Sequence, residues 1–149
     1  MDTFEYHLDK CFEIAAEKYN CEDPFDKCKY REIIAAEKLG HNLFEGASGG
    51  KYNDETYGAD ATDPKDNDGK VEYKSAKMTK TQYDKYKNGV LKKKYTMVYN
   101  GAYDKESIAR YANIRHMLNL FYKAELVATV EVPTGYVLET LNNNLDYDN

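Results

Sequence analysis

The 149 residues carry 42% hydrophobic and 13% aromatic side chains, with fifteen tyrosines, enough apolar content to bury a core within one α/β (α+β) domain spanning 1–149. No apolar run is long enough for a membrane span and the start, MDTFEYHLDK, is too polar for a signal peptide, so a protein without membrane contact is expected, cytoplasmic, or nuclear or viral within a cell. The net charge of −5 argues against a uniformly basic nucleic-acid binder, yet Lys70 to Lys94 holds nine lysines against Glu72 and Asp84, a local +7 that leaves −12 on the remainder.

Taken in order, Asp2 to Tyr19 reads as a helix with Asp2 as N-cap, Glu5 three residues on, and an inward stripe of Phe4, Leu8, Cys11, Phe12, Ala15 and Tyr19. This N-terminal helix, within 1–22, precedes a core over 24–130. Cys11, Cys21 and Cys28 are odd in number and lack a CxxC spacing, so free thiols are expected rather than disulfides or zinc. A second helix is expected from Asp23 as N-cap and Pro24 as first residue to Leu39, with Gly40 as C-terminal cap. Phe25, Cys28, Glu32, Ala35 and Leu39 share one stripe of it. Glu32 and Glu37 lie about 140° apart around that helix, so they cannot both face one site, and Glu32, on the stripe, is the candidate.

The loop His41 to Glu55 contains Gly46-Ala47-Ser48-Gly49-Gly50-Lys51. It is not a Walker loop, because Gly46 and Gly50 are too close and Tyr52 stands where the Mg²⁺-binding Ser or Thr belongs. Ser48, Lys51 and the neighbouring amides nonetheless suit a DNA phosphate, with a plain flexible connection as the alternative reading.

Tyr57 to Lys77 reads as a hairpin that reverses near residue 66, where Pro64 and Asn67-Asp68-Gly69 supply turn chemistry. That register sets Asp60 opposite Glu72 on one side of the sheet with Lys74 one pleat further, unless a bulge shifts it by one residue. An EF-hand is excluded, since placing Gly69 at loop position six puts Pro64 and Ser75 where the anchoring ligands belong. Two carboxylates and an amine are costly to gather on one sheet face without a job. The job that fits is metal-dependent phosphodiester hydrolysis. Asp60 and Glu72 would hold Mg²⁺, or Mn²⁺ as substitute, with the Tyr73 carbonyl as a third ligand, while Lys74 helps deprotonate water and steadies phosphate charge. The plainer alternative is a polar hairpin whose Glu72 and Lys74 pair in solvent.

Thr79 to Leu91 reads as a polar helix or irregular connection, Tyr95 to Tyr99 as a strand ended by Asn100-Gly101. Asp104 caps an expected helix to Tyr122, with Ile108, Tyr111, Ala112, Leu118 and Tyr122 inward and Arg110, Arg115 and His116 outward. Strands Leu126 to Val132 and Tyr136 to Leu141, joined by Pro133-Thr134-Gly135, and a fraying tail from Asn142 complete the chain, so 131–149 is expected as a C-terminal strand and tail. Lys77, Lys80, Lys92, Lys93 and Lys94 are the expected DNA-backbone contacts, with a solvated lysine-rich helix as the plainer alternative.

Asp60, followed after a hairpin by Val71-Glu72-Tyr73-Lys74-Ser75, resembles the PD-(D/E)xK nuclease superfamily, which contains type II restriction endonucleases and archaeal-type Holliday junction resolvases. The family's usual proline before the aspartate is Ala59 here, which leaves Asp63 and Asp54 as rival metal ligands. Arg31-Glu32-Ile33-Ile34 is similar to the glutamate-bearing helix of the resolvases, the Ser48 loop resembles their serine-containing loop, and Gln82 with Tyr86 is similar to the QxxxY pattern of the exonuclease branch. The resemblance covers about residues 24–130. It implies an αβββαβ restriction-endonuclease-like core, a mixed sheet flanked by helices, and a Mg²⁺-dependent DNA endonuclease using Asp60, Glu72, Lys74 and Glu32. It leans to sequence-specific duplex cleavage by a homodimer, with a junction resolvase and a non-catalytic nucleic-acid-binding protein as alternatives.

Overall fold

The computed structural model describes residues 1–44, 59–99 and 104–148. The helix α1, Phe4–Tyr19, is capped by Thr3, whose Oγ1 accepts the Tyr6 N–H at 3.1 Å. Asp2 is not the cap; its carboxylate lies 2.7 Å from His7. Of the expected stripe only Ala15 is buried, while Phe4 is 83% exposed. The helix α2, Lys29–Leu39, starts later than the sequence suggested. Asp23 caps only a local turn, accepting the Phe25 N–H, and positive φ at Lys27 and Cys28 breaks the path before α2. Phe25 and Cys28 are consequently exposed, and Ile33, Ala35 and Ala36 form the buried face. Gly40 ends α2 at φ 72°, the left-handed cap its position called for.

A five-stranded sheet has the order β1 (Asn42–Leu43), β2 (Ala61–Asp63), β3 (Gly69–Lys77), β4 (Ile114–Tyr122) and β5 (Glu125–Val132). Only β3 and β4 pair in parallel; the other neighbours are antiparallel. The parallel step needs a crossover. It is made by α3 (Lys80–Lys87), an irregular segment to Tyr99, and α4 (Lys105–Ala109) with a 3-10 turn over Arg110–Asn113. Thr79 and Gln82 cap α3 reciprocally, and Asp104 caps α4 through the Ser107 N–H.

Three further expectations are overturned. Residues 114–122 are strand, not the second half of a helix, because their apolar side chains are buried on both faces of a central strand. Residues 134–148 form a helix, α5 (Thr134–Asp148), not a strand and frayed tail. Tyr95 to Tyr99 joins no ladder. Its alternation is real all the same: Tyr95, Met97 and Tyr99 are half-buried, Thr96 and Val98 exposed, so the segment lies as a strap across the sheet.

The two faces of the sheet carry different cargo. Ala61, Val71, Tyr73, Met117 and Phe121 pack with Ala35, Ile34 and Leu39 of α2. On the other face Leu118 and Leu120 pack with Tyr95 and Met97 of the strap, and the strap and α5 flank an apolar cleft of about 550 Å³. Among the described residues no helix is long and apolar enough to cross a membrane.

Candidate active site

Asp60 stands immediately before β2, where the ladder is about to end. The pairing Ala61↔Val71 extrapolates to Asp60 against Glu72, but the Asp60 N–H donates to the Val71 carbonyl at 3.0 Å, a one-residue irregularity at this point. Its carboxylate takes over the missing ladder bond: Oδ2 accepts the Tyr73 N–H at 2.8 Å. The Asp60 carbonyl accepts from Phe44 at 3.1 Å, so the residue is tied on both sides. In an antiparallel pair a residue's N–H and C=O face the same edge. The Tyr73 carbonyl therefore faces the Asp60 edge.

Glu72 and Lys74 project from the β3 face opposite α2, and Lys74 Nζ lies 3.3 Å from Glu72 Oε1. Both acids are buried, Asp60 to 6% and Glu72 to 7% exposure, and among the described residues Glu72 Oε2 is a buried acceptor without a partner. Burial raises the Asp60 pKa well above its usual range, and the charges of Glu72 and Glu32 add to that. Burial pushes Glu72 to about 7 despite the ammonium of Lys74. Buried carboxylates whose ionisation is opposed in this way mark a candidate functional site.

Glu32 of α2 acts electrostatically on Asp60, Glu72 and Tyr73, and one of its oxygens accepts from the buried Lys29 at 2.7 Å. Glu37 does not join it; its carboxylate accepts the Tyr19 hydroxyl. Asp63 is likewise committed elsewhere. Burial works to raise its pKa, but the Lys65 N–H, Arg115 and His41 outweigh that and hold it low, with Arg115 at 2.8 Å and His41 at 3.6 Å. It lies on the α2 face with Ala61. Asp54, Ser48 and Lys51 lie outside the described residues.

Of the expected DNA contacts, Lys77, Lys80, Lys92, Lys93 and Lys94 are all exposed. Lys80 is engaged by Asp84 at 2.7 Å. Gln82 caps α3 and accepts the Tyr95 hydroxyl, and Tyr86 is exposed, so the QxxxY pair builds a helix and its strap contact, not the site.

Two further residues border the site. His116, expected outward on a helix, is fully buried on β4 beside Glu72, and Tyr99 reaches it from the strap. Reading 114–122 as a strand parallel to β3 would have found His116.

Hard carboxylate oxygens fit a divalent cation such as Mg²⁺, which commonly takes one or two carboxylates and keeps several waters. Glu72 Oε2, without a partner among the described residues, and the burial that opposes ionisation of both acids fit that requirement. Among the described residues no group of three or more His, Cys, Asp or Glu side chains could hold a metal, so any such ion would depend on backbone and water ligands as well.

The metal-free protein is expected to lose stability as pH rises from 4.5 to about 7. In that window Glu72 holds its proton in the fold and releases it on unfolding, so the folded state binds more protons and rising pH favours unfolding. At about 1.36 kcal/mol per pKa unit the effect is on the order of 3 kcal/mol. Thermal unfolding of wild type beside Glu72→Gln across that range checks it: the difference between the two should shrink toward low pH, and parallel curves would refute the assignment.

No family model matches the chain, and no curated protein matches it significantly.

Proposed function

We propose that the protein is a Mg²⁺-dependent DNA endonuclease that hydrolyses phosphodiester bonds. The observation that carries this reading is the buried Glu72 carboxylate, whose Oε1 lies 3.3 Å from the Lys74 ammonium and whose Oε2 has no hydrogen-bond partner among the described residues, acting on the buried Asp60 carboxylate. The element order supports it as well. The sequence α2, β1, β2, β3, crossover helices, β4 has the αβββαβ order of the restriction-endonuclease-like core, with β5 and α5 appended.

Asp60, Glu72 and the Tyr73 carbonyl would hold the metal, with Glu32 adding negative charge behind them. When bound, Mg²⁺ would acidify the attacking water and offset charge on the scissile phosphate. Lys74 has two tasks. Its ammonium, 3.3 Å from Glu72, orients the water and then accompanies the charge that builds on the phosphate oxygens. Burial of the acids keeps competing solvent out and strengthens both interactions.

The exposed lysines 92 to 94, in the part of the crossover that leads into the strap over this face, are a surface for the DNA backbone. Cutting both strands with one site per chain calls for a homodimer. A compact α/β core that reads branched shape rather than bases would favour a resolvase. Against that, a net charge of −5 suits a confined cleft better than a clamp on four duplex arms. Sequence-specific duplex cleavage is therefore the preferred form. Incubation with a long linear duplex and with a synthetic four-way junction, each with Mg²⁺, is expected to give discrete bands from the duplex. Junction-only cutting, symmetrical about the branch point, would overturn that preference in favour of a resolvase.

A further inference from the structure

The strap does more than cover the sheet. Its first two half-buried residues, Tyr95 and Met97, pack on Leu118 and Leu120 as ordinary core. Tyr99 goes further and arrives at the site itself. The Lys74 ammonium lies over its ring, 4.5 Å from the centroid, while the same ammonium is 3.3 Å from Glu72. A long lysine side chain on an open sheet face has many rotamers; here a carboxylate and an aromatic face leave it few.

The ring is in turn fixed. The Tyr99 hydroxyl is 2.6 Å from His116 Nδ1, and His116 Nε2 is 3.4 Å from the Tyr111 carbonyl. The tautomer protonated on Nε2 satisfies both contacts, with Nε2 donating to the carbonyl and Nδ1 accepting from the hydroxyl. Tyr111 also meets the Tyr99 ring edge-on at 5.6 Å. His116 is fully buried at the position on β4 paired with Glu72, so the anchor is part of the rigid sheet.

We propose that Tyr99 is a positioning residue of the hydrolytic site: its ring face holds the Lys74 ammonium over Glu72, and its hydroxyl locks the ring to buried His116. The proposal rests on the nuclease reading. It gives the irregular strap a task, bringing one aromatic face from outside the ladder to the only strand that carries Glu72 and Lys74.

Steady-state cleavage kinetics of Tyr99→Leu and Tyr99→Phe, together with the NMR resonance of the Lys74 ε-methylene, test it. Tyr99→Leu is expected to lower kcat about 10²-fold, the cost of displacing a catalytic group by roughly 1 Å, with KM unchanged. Tyr99→Phe keeps the face and loses one hydrogen bond, so it should recover most of that rate, to within about 5-fold of wild type. The ε-methylene should be shifted upfield by the ring in wild type and Tyr99→Phe but not in Tyr99→Leu. Should Tyr99→Leu not fold, Tyr99→Met takes its place. If wild type cuts and Tyr99→Leu cuts equally well, or loses only KM, Tyr99 has no such role. An ε-methylene resonance indifferent to the ring overturns the contact without reference to cleavage. If wild type cuts no DNA under any condition, the nuclease reading falls and the positioning role falls with it.

Discussion

Lys74→Ala is expected to slow Mg²⁺-dependent DNA cleavage by about 10²- to 10³-fold in a single-turnover assay, the cost of deleting one preorganised group that meets transition-state charge. Lys74 is the cation beside Glu72, at 3.3 Å, so its loss also leaves that carboxylate without its ion pair. Asp60→Asn separates chemistry from folding. Its amide oxygen can still accept the Tyr73 N–H that Asp60 accepts at 2.8 Å, so the fold should hold while cleavage falls below detection. Because the Asp60 charge is opposed by burial, Glu72 and Glu32, the metal-free Asp60→Asn protein should also melt at a higher temperature than wild type. A variant that cuts normally would remove Asp60 from the ligand set, and one that melts lower would show its charge to be stabilising.

Phe121→Ala is expected to cost about 3–5 kcal/mol, the range for emptying an aromatic site in a core. Phe121 is fully buried on β4 among Val71, Tyr73, Met117 and Ala35, with the Arg31 guanidinium 5.7 Å from its ring. That loss is a large share of the total stability of a domain this size. Urea unfolding at constant slope measures it, and a shift worth under about 1 kcal/mol would mean that the β4 packing described here is wrong.

Phe121 also marks where the sequence was hard to read. IRHMLNLFY has no alternation because a central strand paired in parallel on one side is buried on both faces, and such a run looks the same as a buried helix turn. Asp104 does cap a helix, but that helix lasts only to Ala109. The C-terminal error has a similar source. Pro133-Thr134-Gly135 resembles a hairpin turn, yet Val137 and Leu141 repeat at helical spacing and Val137 is buried. In Tyr95 to Tyr99 the period-two signal reported one-sided burial faithfully and the missing ladder could not be seen in it. The hairpin was legible because its turn residues and alternation are local, and the Ala61↔Val71 register follows from them. Glu72 and Lys74 lie together on β3 at 3.3 Å, and the charges of Glu72 and Glu32 act on buried Asp60. His116 and Tyr99 join them only through a nonlocal parallel pairing and a strap, neither of which leaves a motif.

The most direct test is the fate of supercoiled plasmid DNA under wild-type protein with Mg²⁺, with Ca²⁺, and with EDTA, beside Asp60→Ala. Nicked and linear product with Mg²⁺ and none in the other three reactions is the expected result. Intact plasmid with both Mg²⁺ and Mn²⁺, or equal cutting by Asp60→Ala, would contradict a metal-dependent nuclease at this site.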